Sequence, residues 1–206
     1  MNRSGSVIVS GAVEGLVDEA VFLRLVQYAG AVPGPVYGKN GKPSLRQSLM
    51  GYNRAARFSP WLILADLDRD ADCAPPFRAA WLPNPAAYMC FRVAVREVEA
   101  WLFADRANLA RFLGVPISRM PQAPETLSSP KRAMVELARR SRRREIREDM
   151  VPRLGSGRSV GPAYTSRLIE FVETAWEPQF AERASDSLRR CCNRLSELVK
   201  SFRVKK

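Results

Sequence analysis

Three short acidic pieces of this chain have the residue types and spacing to bind a hard cation: Glu14, the pair Asp66 and Asp68, and the pair Glu97 and Glu99. Carboxylates gathered in one place repel each other unless a cation neutralises them. Mg²⁺, held by one or two carboxylates with water and substrate phosphate completing its octahedron, suits such a set. Asp66 and Asp68 are two apart, so in an extended segment both point to one side and can reach one ion. Asp70 and Asp72 follow closely. The run Asp-Leu-Asp-Arg-Asp also suits a solvated turn, and a lone Asp-x-Asp says little. Its place directly after an apolar run, with Glu14 ending another, favours the metal reading. Glu97 and Glu99 open a helix and stand roughly 200° apart around it, so one of them is expected to face the site. Glu99, beside Ala100 and Trp101, is favoured, with Glu97 the alternative. Asp18 stands open between a further metal ligand and a helix cap.

The chain has no histidine, and its four cysteines show no Cys-x-x-Cys spacing. That excludes Ser-His and Cys-His nucleophilic schemes and any zinc site with imidazole ligands. Cys191 and Cys192 are adjacent on an expected helix and cannot both face one metal, so buried thiols are the expectation. Carboxylate, hydroxyl, lysine and arginine remain for chemistry, a palette that suits Mg²⁺ or Mn²⁺.

The net charge of this 206-residue chain is +12, with a pI near 10.2. It is uneven: residues 1–130 carry +3 and residues 131–206 carry +9. Such a basic excess favours a polyanionic partner through counterion release, and nucleic acid is the commonest one. The segment Lys39-Asn40-Gly41-Lys42-Pro43-Ser44 precedes a helix, so Lys39 and Lys42 with the helix start could receive a phosphate, or form a plain turn. It is not a P-loop, because GxxxxGK[ST] is absent. Arg142, Arg143 and Arg144 end a dense cationic run that begins at Arg139, and Arg153 and Arg158 follow. These arginines suit contact with a nucleic-acid backbone. The bland reading is a solvated helix end partly offset by Glu145, Glu148 and Asp149. The tryptophans Trp61, Trp81, Trp101 and Trp176 read as packing residues.

The elements that would position these groups alternate. Val7–Val9 reads as a strand, leading through Ser10–Val13 to Glu14, then a helix with Val21, Phe22, Leu25 and Val26 at helical spacing. A short strand is expected near Pro35–Tyr37, and a helix from Pro43 to about Phe58. Trp61–Ala65 reads as a strand buried on both faces, Phe77–Leu82 as a short helix, and Tyr88–Val95 as another strand. Alternation of this kind predicts an α/β fold with a small parallel sheet flanked by helices. Ligands in such sheets sit at the carboxyl ends of the strands. Beyond it, helices are expected from Arg96 to Phe103 and at Asp105–Leu113, Pro130–Arg140, Tyr164–Trp176 and Ser185–Ser201. The stretch from Arg142 to Gly161 reads as a mobile surface segment. The expected organisation is a core over 1–105 and a basic helical elaboration over 106–206, packed on it. No apolar run approaches the roughly 20 residues of a membrane span, and the N-terminus lacks a signal-peptide layout. The chain is therefore expected to be cytoplasmic.

The pieces Val13-Glu14-Gly15-Leu16-Val17-Asp18 and Leu64-Ala65-Asp66-Leu67-Asp68 resemble the Toprim domain. In that fold, which is also Rossmann-like, a glutamate after the first strand and a later Asp-x-Asp hold the catalytic metal. The first piece is similar to nucleases of the overcoming-lysogenization-defect type. Arg96-Glu97-Val98-Glu99-Ala100-Trp101-Leu102-Phe103-Ala104-Asp105, with Ala175-Trp176-Glu177-Pro178 and Ser185-Asp186-Ser187-Leu188, resembles a family of small bacterial Toprim-like proteins. These are often encoded beside AAA or SMC-like ATPases, some in phage-defence loci. The resemblance implies Glu14 as the Toprim glutamate, Asp66 and Asp68 as the metal-holding pair, and a further ligand at Glu99 or Glu97. It implies a Mg²⁺- or Mn²⁺-dependent nuclease acting on DNA or RNA with an ATPase partner. The alternative is a non-catalytic nucleic-acid-binding or regulatory subunit of such an ATPase. Phosphotransfer is the third class, but Arg69 and Asp70 after the Asp-x-Asp do not suit the haloacid-dehalogenase pattern.

Overall fold

The structure, a computed structural model, describes residues 6–204. The described residues alternate β1 (Ile8–Val13), α1 (Leu16–Tyr28), β2 (Val32–Gly38), α2 (Gly41–Ala55), β3 (Trp61–Asp66), α3 (Ala74–Trp81) and β4 (Met89–Ala94). The four strands form one sheet in the order β2-β1-β3-β4, and every pairing is parallel. The α/β fold read from the sequence is the one observed. β2 runs further than the expected Pro35–Tyr37 and contains Pro33 and Pro35. As an edge strand it tolerates prolines, which cannot donate to a ladder on both sides. α3 begins at Ala74 rather than Phe77, because Pro75 and Pro76 fall in its first turn, where a missing N–H costs nothing.

The two faces of the sheet are covered differently. Ala12, Ile63, Ala65, Phe91 and Val93 share a core with Leu45 and Leu49 of α2 and Phe77 of α3. Each fully buried aliphatic or aromatic side chain stabilises the fold by roughly 1.5–3 kcal/mol relative to exposure. The opposite face receives α1, whose Phe22, Leu25 and Val26 are buried. Gly11 makes this approach possible: a Cβ there would stand 2.2 Å from the Phe22 ring. Any side chain at Gly11 would push α1 off β1.

The remaining elements are α4 (Val98–Ala104), α5 (Arg106–Leu113), 3₁₀ turns at Ile117–Arg119 and Pro124–Thr126, α6 (Pro130–Arg139), α7 (Arg144–Met150), α8 (Tyr164–Thr174), α9 (Pro178–Ala181) and α10 (Asp186–Val204). The chain divides into two compact units, one made of the residues up to Val95 and those from Ser187 on, the other of Arg96–Asp186. This differs from the expected boundary at residue 105. It also separates the last helix from the basic middle of the chain. Within the first unit, Phe202 of α10 meets Tyr88 edge-on at 4.9 Å, and Arg203 donates to the Gly30 carbonyl at 2.9 Å. The expected mobile stretch from Arg142 is also corrected: Arg144–Met150 is helical. Ile146 and Met150, four apart on one face, are buried and supply the apolar anchor that the charge count hid.

No helix among the described residues is long and apolar enough to cross a membrane.

Candidate carboxylate and lysine site

Glu14 follows the last residue of β1, and Asp66 is the last residue of β3. These neighbouring parallel strands send their connections to opposite faces, α1 after β1 to one and α3 after β3 to the other. Their carboxyl ends therefore open a crevice at the point where the strand order reverses, the usual ligand position in such sheets. The Asp66 backbone N–H donates to Glu14 Oε1 at 2.9 Å, fixing that carboxylate against the end of the neighbouring strand. Burial pushes the Glu14 carboxyl above its ordinary value. The Asp66 N–H and the Lys42 charge oppose this, and Asp68 and Asp70 add to it.

Lys42 enters from the first turn of α2, which follows β2 on the other side of β1. The loop before it depends on Gly38, with φ +88°, where a Cβ would stand 2.3 Å from the Val13 carbonyl oxygen. The Lys42 ammonium donates to Asp68 Oδ2 at 2.5 Å and to Asp70 Oδ2 at 2.8 Å. Burial alone would lower this ammonium; the two hydrogen bonds and the negative charges around it leave it above its ordinary value. Lys39 is also engaged, with Glu19 at 2.9 Å, and the Gly41 N–H donates to the Glu14 carbonyl. Both lysines expected at a phosphate are thus carboxylate-bound, and one helix-start N–H is already used.

The extended segment that would put Asp66 and Asp68 on one side ends at Asp66. Asp68 has φ +49°, and the Asp70 N–H turns back to the Leu67 carbonyl, so the chain leaves the strand geometry at Asp66. Among the described residues, no three histidine, cysteine, aspartate or glutamate side chains stand close enough together to hold a metal ion between them. The set is instead two linked pairs, Glu14 with the Asp66 backbone and Asp68 with Asp70 around Lys42. Asp18 does not cap α1, since Gly15 holds that position. It lies in the first helical turn, buried, with Oδ2 3.2 Å from where a Gly15 Cβ would stand. A negative charge there is favoured by the helix dipole.

Glu97 and Glu99 belong to the second unit. The helical-wheel argument fails for them because α4 starts at Val98, leaving Glu97 in extended conformation before it. Both meet Lys131. Glu97 Oε2 accepts from the Lys131 N–H at the start of α6, at 2.6 Å, and Glu99 Oε1 lies 3.7 Å from its ammonium. Tyr164 donates its hydroxyl to Glu99 Oε1 at 3.2 Å, while buried Glu99 Oε2 has no hydrogen-bond partner. Sequence reasoning missed Lys131 and Tyr164, and no spacing signal points to them. Burial is the main cause that raises the Glu99 carboxyl. Its contribution to stability is therefore full below the ordinary value of 4.5 and is lost as pH rises through the higher folded value. Glu99→Gln is expected to flatten that decline. Urea midpoints across the acid-to-neutral range check it, and an unchanged slope in the variant would count against the assignment.

The most specific part of the family resemblance forms the core of the second unit. Trp101 and Trp176 are both fully buried, and the Trp176 indole N–H donates to the Trp101 carbonyl at 3.3 Å. Asp105 Oδ2 accepts from the Glu177 N–H and from Asn108, each at 2.9 Å. Arg142, Arg143, Arg144 and Arg158 are exposed. Arg144 pairs with Glu148 at 2.7 Å, and Arg158 lines, with Arg153, a shallow groove of about 400 Å³. Of the cysteines, Cys90, Cys191 and Cys192 are buried free thiols and Cys73 is exposed.

Compared with the models of known protein families, with curated proteins and with solved structures, the chain matches none.

Proposed function

We propose that the first unit is a Mg²⁺-dependent, Toprim-type nuclease that cleaves phosphodiester bonds in DNA or RNA. The observation that carries this reading is the meeting of Glu14 with the end of β3 at the β1–β3 switch point, beside Asp68, Asp70 and Lys42. The donor set fits the metal. Mg²⁺ needs one or two carboxylates and fills its other positions with water and substrate phosphate, so the absence of a three-carboxylate cage among the described residues is compatible with it. Asp68 and Asp70 already hold a cation, the Lys42 ammonium. One or two of Glu14, Asp66 and Asp68 would hold the metal. When bound it would lower the barrier by activating water and neutralising charge on the phosphate.

The chain's own groups do the rest. Glu14 is held in place by a backbone hydrogen bond, so its orientation needs no reorganisation when substrate arrives. Lys42 brings a positive charge to the strand ends, where a phosphate would sit. Next to it lies a groove of about 750 Å³ lined by Lys42, Arg46, Gln47, Asp70, Phe77 and Trp81. Arg46 lies over the Trp81 ring at 5.5 Å. Aromatic faces and a guanidinium together suit a nucleotide flanking the scissile bond. The exposed arginines Arg142, Arg143, Arg144 and Arg158 belong to the second unit and would give it nucleic-acid backbone contacts of its own. An AAA or SMC-like ATPase partner and a role in phage defence rest on the family resemblance alone.

The same Lys42 contacts favour a second reading, a non-catalytic nucleic-acid-binding or regulatory subunit of an ATPase. An ammonium set between Asp68 and Asp70 can close such a site permanently. Lys42→Gln separates the two. If a metal uses these carboxylates, removing the competing charge is expected to tighten Mn²⁺ binding by about fivefold, equivalent to about 1 kcal/mol for a partly exposed pair. Calorimetry measures this directly. No Mn²⁺ binding in either protein would favour the subunit.

A further inference from the structure

Arg92 occupies the middle of β4, between buried Phe91 and Val93. Side chains alternate along a strand, so Arg92 shares a face with Cys90 and opposes Phe91 and Val93, which lie in the core formed with α2 and α3. β4 is an edge strand of the sheet. The Arg92 Nε is buried and has no hydrogen-bond partner, and the same holds for the Nε of Arg78 in α3. A third guanidinium, Arg194 of α10, is close enough to act on Arg78. Burial first, and then the charges of Arg92 and Arg194, push Arg78 below its ordinary value.

Among the described residues, no carboxylate is ion-paired with Arg78 or Arg92, and Arg194 has only the exposed Glu197 at 3.7 Å. Cys90 is in hydrogen-bonding contact with Arg92, but burial pushes its thiol up, so it supplies no negative charge. Half-buried like charges with unmade donors are costly unless an ion pairs with them. Guanidinium groups match tetrahedral oxyanions through paired N–H donors.

We propose that Arg78, Arg92 and Arg194 form a phosphoryl-binding site at the β4 edge of the sheet. The group bound is a phosphate, from a nucleic-acid strand or from a free phosphate or nucleotide. This site stands on its own residues and does not rest on the nuclease reading.

The test uses the full chain in a low-salt buffer free of phosphate, with inorganic phosphate and pyrophosphate as probes and thermal unfolding as readout. At about 100 times Kd, a ligand of the folded state multiplies the folded-to-unfolded ratio about 100-fold, an upward shift of roughly 5–10 °C for a chain this size. Arg78→Gln with Arg92→Gln is expected to lose that shift and to be as stable as wild type, or more so, without phosphate. Arg57→Gln with Arg119→Gln, two exposed arginines elsewhere, should keep the shift. Should the double glutamine variant not fold, Arg92→Lys keeps the charge without the guanidinium fork and should lose most of the shift. A short single-stranded oligonucleotide separates the sources: binding weakened by the Arg78 and Arg92 changes and competed by phosphate assigns the nucleic-acid backbone, and binding unaffected by them assigns a free phosphate. The proposal is overturned if wild type shows no shift, if the Arg78 and Arg92 variants keep it, or if the Arg57 and Arg119 variant loses it equally.

Discussion

Replacing Asp66 and Asp68 together by asparagine is expected to reduce Mg²⁺-dependent cleavage by at least about 100-fold, close to 3 kcal/mol of transition-state stabilisation. The fold should survive. Asp66 uses its backbone, not its side chain, to hold Glu14, and Asp68 is partly exposed in a turn. Asparagine is nearly isosteric and tolerates the left-handed backbone at Asp68, where φ is +49°. The change therefore removes negative charge from the strand ends without disturbing the sheet. Steady-state cleavage and Mn²⁺ binding should fall together. If cleavage continued at the wild-type rate while Mn²⁺ binding was lost, the metal would be elsewhere and the site assignment would be wrong.

The second large effect is on stability. Trp176→Ala is expected to destabilise the protein by about 3–5 kcal/mol, the usual cost of deleting a buried large aromatic. Trp176 is fully buried, and its loss also leaves the Trp101 carbonyl without the indole donor. Urea unfolding followed by circular dichroism measures this. A change under about 1 kcal/mol would show that the tryptophan is not the core residue described here. Trp101 and Trp176, both fully buried, are the packing residues that the sequence leads one to expect. The resemblance that runs through them marks the framework of the second unit rather than its chemistry.

The sheet was legible because its strands are short apolar runs bounded by turn residues, above all Trp61–Ala65, buried throughout. Carboxylates at strand ends followed from that pattern. What the sequence hid was backbone conformation after Asp66. Spacing two apart predicts a shared side only in an extended chain, and Asp68 leaves it. Glu97 and Glu99 failed for the matching reason, since a wheel drawn from Arg96 assumes a helix that starts at Val98. The place of Lys42 before a helix suits either a phosphate ligand or a plain turn, while its carboxylate partners lie 26 and 28 residues away in sequence. No local pattern carries pairings of that kind. Arg92 did leave a signal, a charge inside an apolar strand, and its weight appears only once Arg78 and Arg194 are seen near it.

We propose that the carboxylates at the ends of β1 and β3 hold a divalent metal for phosphodiester cleavage. The most direct measurement incubates the purified chain with plasmid DNA and with labelled RNA under Mg²⁺, Mn²⁺ and EDTA. Cleavage of at least one substrate with either metal, and none with EDTA, is the predicted result. Intact DNA and RNA under every condition, with nucleic-acid binding retained, would contradict a nuclease active on its own and point to a subunit that serves an ATPase.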